Sequence, residues 1–340
     1  MQPITWWRSA LSALLCLSIT AAAFAQSDDF DRIGTRRTAT AANWGGRAWT
    51  ATELRSFQGK PETATTNTAT NYVLVAYDRF VSFYDVANFA PVWVAYVATR
   101  ESARVAESGQ RAGAEFARPE TFFTDGVIAE ASARLDVEAA GHFDYSDKVP
   151  PNLPLADRVP RTLTAQQARA RGGIIERGHL APNNTMKCWG TPAQGKKAQY
   201  ESFSLANVVA QMKKHNAPTW AALEKQCLVW AKELGSVAVV VGPIYADRSN
   251  PKRIEDRRTG ETQDIPYPDA LFCVVIGKRA GAVAAVGFIM PQQTQSYGWE
   301  TKAVPIDEIE AATGINFLPA MGEPSILETK IDARWLSVMH

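Results

Sequence analysis

The chain has 340 residues, 46% of them hydrophobic and 21% charged, with a formal net charge of +1. That length supports a large core in one or two domains. Four cysteines with no CxxC spacing and no Cys/His cluster argue against a structural zinc site.

The first thirty residues, MQPITWWRSALSALLCLSITAAAFAQSDDF, combine a basic start at Arg8, an apolar run from Leu11 to Ala23 and the small-residue triplet Ala23-Phe24-Ala25. This is the pattern of a secretory signal cleaved after Ala25. A lone membrane anchor is the alternative, but the run is shorter than the ~20 residues a span needs. Leu15 in front of Cys16 argues against a lipoprotein. No later run is long and apolar enough to cross a membrane, so a soluble exported protein of about 315 residues is expected, secreted or periplasmic.

Residues 26–70 are rich in Thr, Ala, Ser and Gln without apolar periodicity, and read as an extended arm or linker. From Tyr72 the texture changes. YVLVAYDRFVSFYD and APVWVAYVAT are dense in Val, Tyr, Phe and Trp and predict strands joined by a turn near Asn88. Residues 146–172, with four prolines, read as a loop-like excursion from the sheet. VAVVVGPIYA (237–246), ALFCVVIG (270–277) and AVAAVGFIMP (282–291) predict three more buried strands. APTWAALEKQCLVWAKELG carries Trp220, Leu223, Cys227, Trp230 and Leu234 at helical spacing, with Pro218 in the first turn and Gly235 at the end. PIDEIEAATG (305–314) predicts a shorter helix stopped by Gly314. Cys188, Cys227 and Cys273 allow at most one internal bridge, and buried free thiols are an equal alternative.

Charge is unevenly spread. Between Arg158 and Lys232 there are twelve Lys or Arg against Glu176, Glu201 and Glu224, an excess of nine, so the remainder carries about −8. A basic middle third suggests a polyanionic partner such as a phosphate polymer, although a solvated basic face with no ligand has the same composition.

Inside that third lies IIERGHLAPNNTM (174–186), which places one of only four histidines, His179, at the end of an apolar run. Phosphodiester hydrolysis needs a base for water, a cation to neutralise developing charge and donors that hold the phosphate. His179 suits the base, since an ordinary imidazole is largely neutral near pH 7. A hard ion such as Mg²⁺ takes oxygen ligands and keeps several waters, so one or two protein groups suffice. Asn216 offers an amide oxygen, and Glu224 follows eight residues later. If the helical turn includes residue 216, the two side chains lie about 80° apart around the axis and flank the apolar stripe. Asn207, in FSLANVVAQ, is a second amide placed to hold the loop before the helix or to orient water. Taken singly, each has a structural explanation: a hydrogen-bonded histidine, a helix cap, a solvated glutamate.

Taken together, GIIERGHLAPNN followed by SFSLANVVAQMKKHNAPTWAALE resembles the DNA/RNA non-specific endonuclease family, the ββα-metal nucleases that include secreted bacterial nucleases and mitochondrial endonuclease G. The family pattern D-R-G-H, S-N…Q and N…W…L-E is met here by Glu176-Arg177-Gly178-His179, by Ala206-Asn207 to Gln211, and by Asn216 to Trp220 to Leu223-Glu224. The similarity runs over roughly 72–325. It implies His179 as general base, Asn216 as direct metal ligand, Glu224 as a ligand through water and Asn207 in support of the site. It also implies Arg118, in FARPETFFTD, as a phosphate-binding arginine, with Arg177 structural or near phosphate. Two departures stand out: Glu176 is one methylene longer than the family Asp, and Leu228 occupies a position where some secreted members carry a second phosphate-binding arginine.

The expectation is therefore an α+β, ββα-metal (His-Me finger) nuclease fold, with a central, mainly antiparallel sheet flanked by helices. One endonuclease domain would occupy 71–340, after a signal peptide (1–25) and an arm (26–70). The implied activity is cutting of DNA or RNA with little sequence preference, using Mg²⁺ with Mn²⁺ as a substitute and leaving 5′-phosphate ends. No membrane association is expected, while homodimerisation and a guarding inhibitor protein are open. A nucleic-acid-binding protein that has lost turnover is the runner-up; a small-molecule phosphodiesterase is disfavoured by the basic surface.

Overall fold

The computed structural model describes residues 72–119, 122–126, 128–129, 132, 148–149, 175–256, 262–292, 298–317 and 326–336. The expected signal peptide, the 26–70 arm and all of the 146–172 excursion except 148–149 lie outside the described residues.

The apolar runs form one seven-stranded sheet. Its order is β1 (Tyr72–Ala76), β2 (Phe80–Asp85), β3 (Ala90–Thr99), β7 (Ser236–Ile244), β10 (Ala270–Arg279), β11 (Ala282–Pro291) and β12 (Ala303–Val304). Every neighbouring pair is antiparallel. The mixed α+β class with a central antiparallel sheet is thus as expected. YVLVAYDRFVSFYD is two strands, β1 and β2, broken at 77–79. At the turn near Asn88 the Asp85 carboxylate accepts from the Ala87 and Asn88 backbone amides and from Asn88 Nδ2.

Both faces of the sheet are covered, which is why its strands are apolar throughout instead of alternating with polar residues. In β10, Leu271, Cys273 and Val275 join the core on one face, while Phe272 and Val274 join the core on the other. The first face is packed by helix α4 (Ala221–Leu234), which buries Leu223, Cys227 and Trp230 at the predicted spacing. Trp230 sits edge-on to Trp299 and Trp335, at 5.3 and 5.1 Å between ring centroids, and stacks on Phe288. The second face is closed by α5 (Ile306–Thr313) through Ile306 and Ile309, and α5 stops at Gly314 with φ +68°. Among the described residues no helix is long and apolar enough to cross a membrane.

The residues before α4 differ from expectation. Ala217 is extended at φ −137°, ψ 116°, the Ala217–Pro218 peptide is cis, and 215–220 form a wide π-type turn instead of helix. A proline disfavours helical backbone in the residue before it, so Asn216 stands outside the helix and the 80° relation to Glu224 does not hold. Two helices were missed altogether, α1 (Arg100–Ser108) and α3 (Pro192–Glu201). Each begins with a capping box, Thr99 with Ser102 and Thr191 with Gln194. α2 is the single turn Asn183–Met186.

Apart from the main sheet, β5 (Ile175–His179) pairs antiparallel with β6 (Val208–Met212), and β4 (Lys148–Val149) pairs with β8 (Arg253–Asp256), itself paired to β9 (Thr262–Pro266). The β5–β6 pair and α4, linked by the 215–220 turn, present the candidate site.

Candidate active site

His179 is the last residue of β5, opposite Val208 on β6. The chain that leaves it is held by Asn207. The Asn207 Oδ1 accepts from the Ala181 amide at 2.7 Å, and its Nδ2 donates to the carbonyls of Ala181 and Ser202 at 2.9 and 2.8 Å. The Leu180 amide donates to the Asn207 carbonyl as well. Asn207 is fully buried and spends its amide on backbone, so it fixes residues 180 and 181 and not the loop before α4.

The imidazole lies between two phenylalanines, 5.2 Å from Phe122 and edge-on to Phe203 at 4.7 Å. Its Nε2 is buried without a hydrogen-bond partner. Arg118 lies over the Phe203 ring and Arg177 over the Phe122 ring, at 5.2 and 4.8 Å. Burial, with a smaller repulsion from Arg118, lowers the His179 pKa to about 3. The ring is therefore neutral at physiological pH, with a free polar atom in a cationic surround. Neither phenylalanine was singled out from sequence, although both lie in quoted segments; an aromatic frame leaves no spacing signature when its members are as far apart as 122 and 203.

Glu176 explains the orientation of Asn216. The Asn216 Nδ2 donates to Glu176 Oε2 at 3.0 Å, so the amide nitrogen is engaged and Oδ1 is left to accept or coordinate. A second network supports the same corner. Gln211 Nε2 meets His215 Nδ1 at 2.7 Å, and His215 Nε2 meets the Met290 carbonyl at 3.2 Å. Because a carbonyl only accepts, Nε2 carries the proton and Nδ1 accepts from Gln211. Gln211 lies across Gly178, where an added Cβ would fall 1.9 Å from Oε1 and 2.8 Å from the Gln211 Cβ. Gly178 is required by that crossing.

Glu224, in the first turn of α4, is half-buried, and burial raises its carboxyl pKa to about 8 against a smaller opposing pull from the Trp220 indole. It lines a cavity of about 400 Å³ between α1, residues 182–188 and α4, and Leu228 lines the same wall. The donor set suits a hard divalent cation: an amide oxygen held in place from behind, and a carboxyl that would ionise readily beside positive charge. Among the described residues there is no group of three or more His, Cys, Asp or Glu that could hold a metal.

The basic segment is partly neutralised. Lys197 is buried and paired with Asp78 at 3.0 Å, and Lys232 pairs with Glu107 at 2.8 Å, while Lys196, Lys213, Lys214 and Lys225 are exposed. Arg158, Arg161, Arg169 and Arg171 lie outside the described residues.

The structure thus brings His179, Arg118 and Arg177 together around the two phenylalanines and ties Asn216 to β5 through Glu176, while Glu224 lines the cavity along α4. The model of the DNA/RNA non-specific endonuclease family matches residues 59–322, and the chain belongs to that family. It is 26% identical over 207 residues to the mitochondrial Nuclease 1 of Schizosaccharomyces pombe, covering 58% of this chain and 60% of that protein. It is 29% identical over 168 residues to human mitochondrial endonuclease G, covering 48% of this chain and 54% of the relative. The chain thus spans little more than half the length of these relatives. Among solved structures it is similar to a chain of the EndoG/EndoGI complex, with a TM-score of 0.49, 20% identity, and coverage of 73% of this chain and 86% of the other.

Proposed function

We propose that this chain is an exported, divalent-metal-dependent endonuclease that hydrolyses phosphodiester bonds of DNA, RNA or both with little sequence preference. The observation that carries this is the buried, unpartnered Nε2 of His179 beside Arg118, at the end of the strand whose Glu176 aligns the Asn216 amide. Family membership supports it, and the N-terminal signal pattern supports export.

In this reading Arg118 and Arg177 draw a backbone phosphate to the mouth of the Phe122–Phe203 frame. A neutral His179 is ready to accept a proton, and the approaching phosphate charge raises its proton affinity at the moment it is needed. Nε2 takes a proton from water as the water oxygen bonds to phosphorus. The P–O3′ bond breaks, the 3′ oxygen takes up a proton, and a 5′-phosphate end results. Asn216 Oδ1, and Glu224 through water, would hold Mg²⁺ or Mn²⁺. When bound, the ion supplies charge neutralisation at the phosphoryl group and the leaving oxygen. Asn207 holds residues 180 and 181, the chain that leaves His179, in one place.

Leu228 favours one other reading, a nucleic-acid-binding protein without turnover, because a cationic contact to phosphate is replaced by an apolar side chain. Digestion of plasmid DNA and total RNA by the mature protein, with Mg²⁺ and with EDTA, beside His179→Ala, separates the two. The endonuclease reading expects metal-dependent cutting that falls at least about 10²-fold in His179→Ala, within the range for removal of a general base. No cutting with any divalent metal, with DNA still retarded in a gel, would sink it in favour of the binding protein.

A further inference from the structure

The cavity beside Glu224 has a chemistry the proposed reaction does not use. It has about 400 Å³ of space, within the range of sites that enclose small organic groups. One wall is α4, with Ala221, Leu228 and Val229; the facing wall is α1, with Val105 and Ala106. Between them the floor is residues 182–188, the segment that leaves His179 through the Asn207 clamp. The cavity therefore shares Glu224 with the candidate site residues and borders the segment that follows His179.

Its lining is mostly apolar, with Glu107, Thr185, Cys188 and Glu224 among the polar members. Arg111, the one arginine in the lining, is not available to a ligand: its guanidinium donates to the carbonyls of Lys187, Gly190 and Thr191 at 3.3, 2.8 and 3.2 Å. Lys225 is exposed and Lys187 half-exposed, so their ammonium groups can reach phosphate outside without filling the interior. Asn184 is exposed, and its Oδ1 accepts from Asn183 Nδ2, which leaves its own Nδ2 as a donor at the margin. A mostly apolar slot with cations outside and an amide donor at the edge fits a flat, largely apolar heterocycle with carbonyl edges, attached to a phosphodiester. It does not fit a phosphate, which would need the cation that Leu228 lacks.

Resting on the nuclease reading above, we infer that this cavity is a nucleobase subsite for the nucleotide next to the phosphate that is cut, and that it selects single-stranded over duplex nucleic acid. A base can enter only after leaving its stack and its partner. In duplex this costs a few kcal/mol, and in a single strand much less. Leu228, one helical turn after Glu224, then serves the base rather than the backbone.

The first test needs no turnover. Thymidine 5′-monophosphate and 2-deoxyribose 5-phosphate, which lacks the base, are titrated against the protein in EDTA, with Ala106→Trp in parallel to fill the slot from α1. The subsite requires the nucleotide to bind at least tenfold more tightly than the base-free sugar phosphate, with the difference lost in Ala106→Trp. Equal affinities in the unaltered protein overturn it, whether or not the variant folds. The second test compares kcat/KM on single-stranded and duplex oligonucleotides of one sequence. A preference above tenfold for the single strand is expected, falling toward parity in Ala106→Trp, while cleavage of bis-p-nitrophenyl phosphate is unchanged. Base recognition without cutting would end the nuclease reading and leave the subsite. Metal-dependent cutting with no base recognition and no strand preference would do the reverse.

Discussion

Burial keeps His179 neutral, and the same desolvation links the site to acid stability. The folded pKa values of His179 and His215 are lowered to about 3 and about 4 from an ordinary 6.5. Below pH 6.5 the unfolded chain therefore binds protons that the native state refuses. Stability from these groups is complete above pH 6.5 and is lost as pH falls toward 3–4, by about 2 kcal/mol per histidine at pH 5. Glu224 acts in the opposite sense. With its pKa raised from 4.5 to about 8, the folded protein retains a proton the unfolded chain releases, so its contribution falls as pH rises between those values. Two histidines outweigh one carboxyl between pH 5 and 6.5, so urea midpoints measured in EDTA should drop on acidification, and His179→Gln should flatten the dependence. Parallel pH curves for the two proteins would show that His179 is not desolvated as described. At this scale the sequence drew attention to His179, Asn216 and Glu224 through their spacing, and the structure gives each a distinct setting: a buried imidazole, an amide held by a carboxylate and a carboxyl with a raised pKa. The phenylalanines that frame His179 were not legible, because Phe122 and Phe203 reach it through tertiary contacts, and Glu176 was noted as part of the motif without its bond to Asn216.

The β5–β6 pair works as a unit because a side chain of one strand crosses the backbone of the other. Gln211 passes over Gly178 and then bonds to His215, next to Asn216, so the strand carrying His179 and the turn carrying Asn216 share one packing arrangement. Gly178→Ala cannot be absorbed in place, since the new methyl meets Gln211 at both its Oε1 and its Cβ. Overpacking of this kind costs about 1–3 kcal/mol. The variant should unfold at lower urea, and its Mg²⁺ affinity should weaken even where it is fully folded, as titration calorimetry would show. Unchanged metal affinity would mean the two halves are independent. Element boundaries agreed with the sequence where periodicity was strong, as in α4 with Leu223, Cys227 and Trp230 inward. They departed where a local signal was given the wrong weight. Pro218 suggested a helix start, whereas its effect on Ala217 held the chain open and delayed the helix. The capping boxes at Thr99 and Thr191 were present in the sequence but led into segments with few large apolar residues, RESARVAES in one case and PAQGKKAQYE in the other.

Across the whole molecule, composition revealed the sheet because both faces are covered and its central strands are apolar on both sides. Charge counting was less informative, since a pair such as Lys232–Glu107 cancels locally and does not add to the charge offered to a polyanion. Binding of duplex DNA in EDTA should weaken steeply with salt. Replacing both Lys213 and Lys214 by alanine should reduce the slope of log K against log[salt] by about 2, and Lys232→Ala should leave it almost unchanged. A slope insensitive to the first pair would place the nucleic-acid path elsewhere. Cys188, Cys227 and Cys273 are all buried as free thiols, so no covalent cross-link among them contributes to the described fold. The described fold needs no cross-link among these three thiols, so cytoplasmic production without an oxidative refolding step should yield the folded domain, with a cooperative urea transition unchanged by reductant as the check.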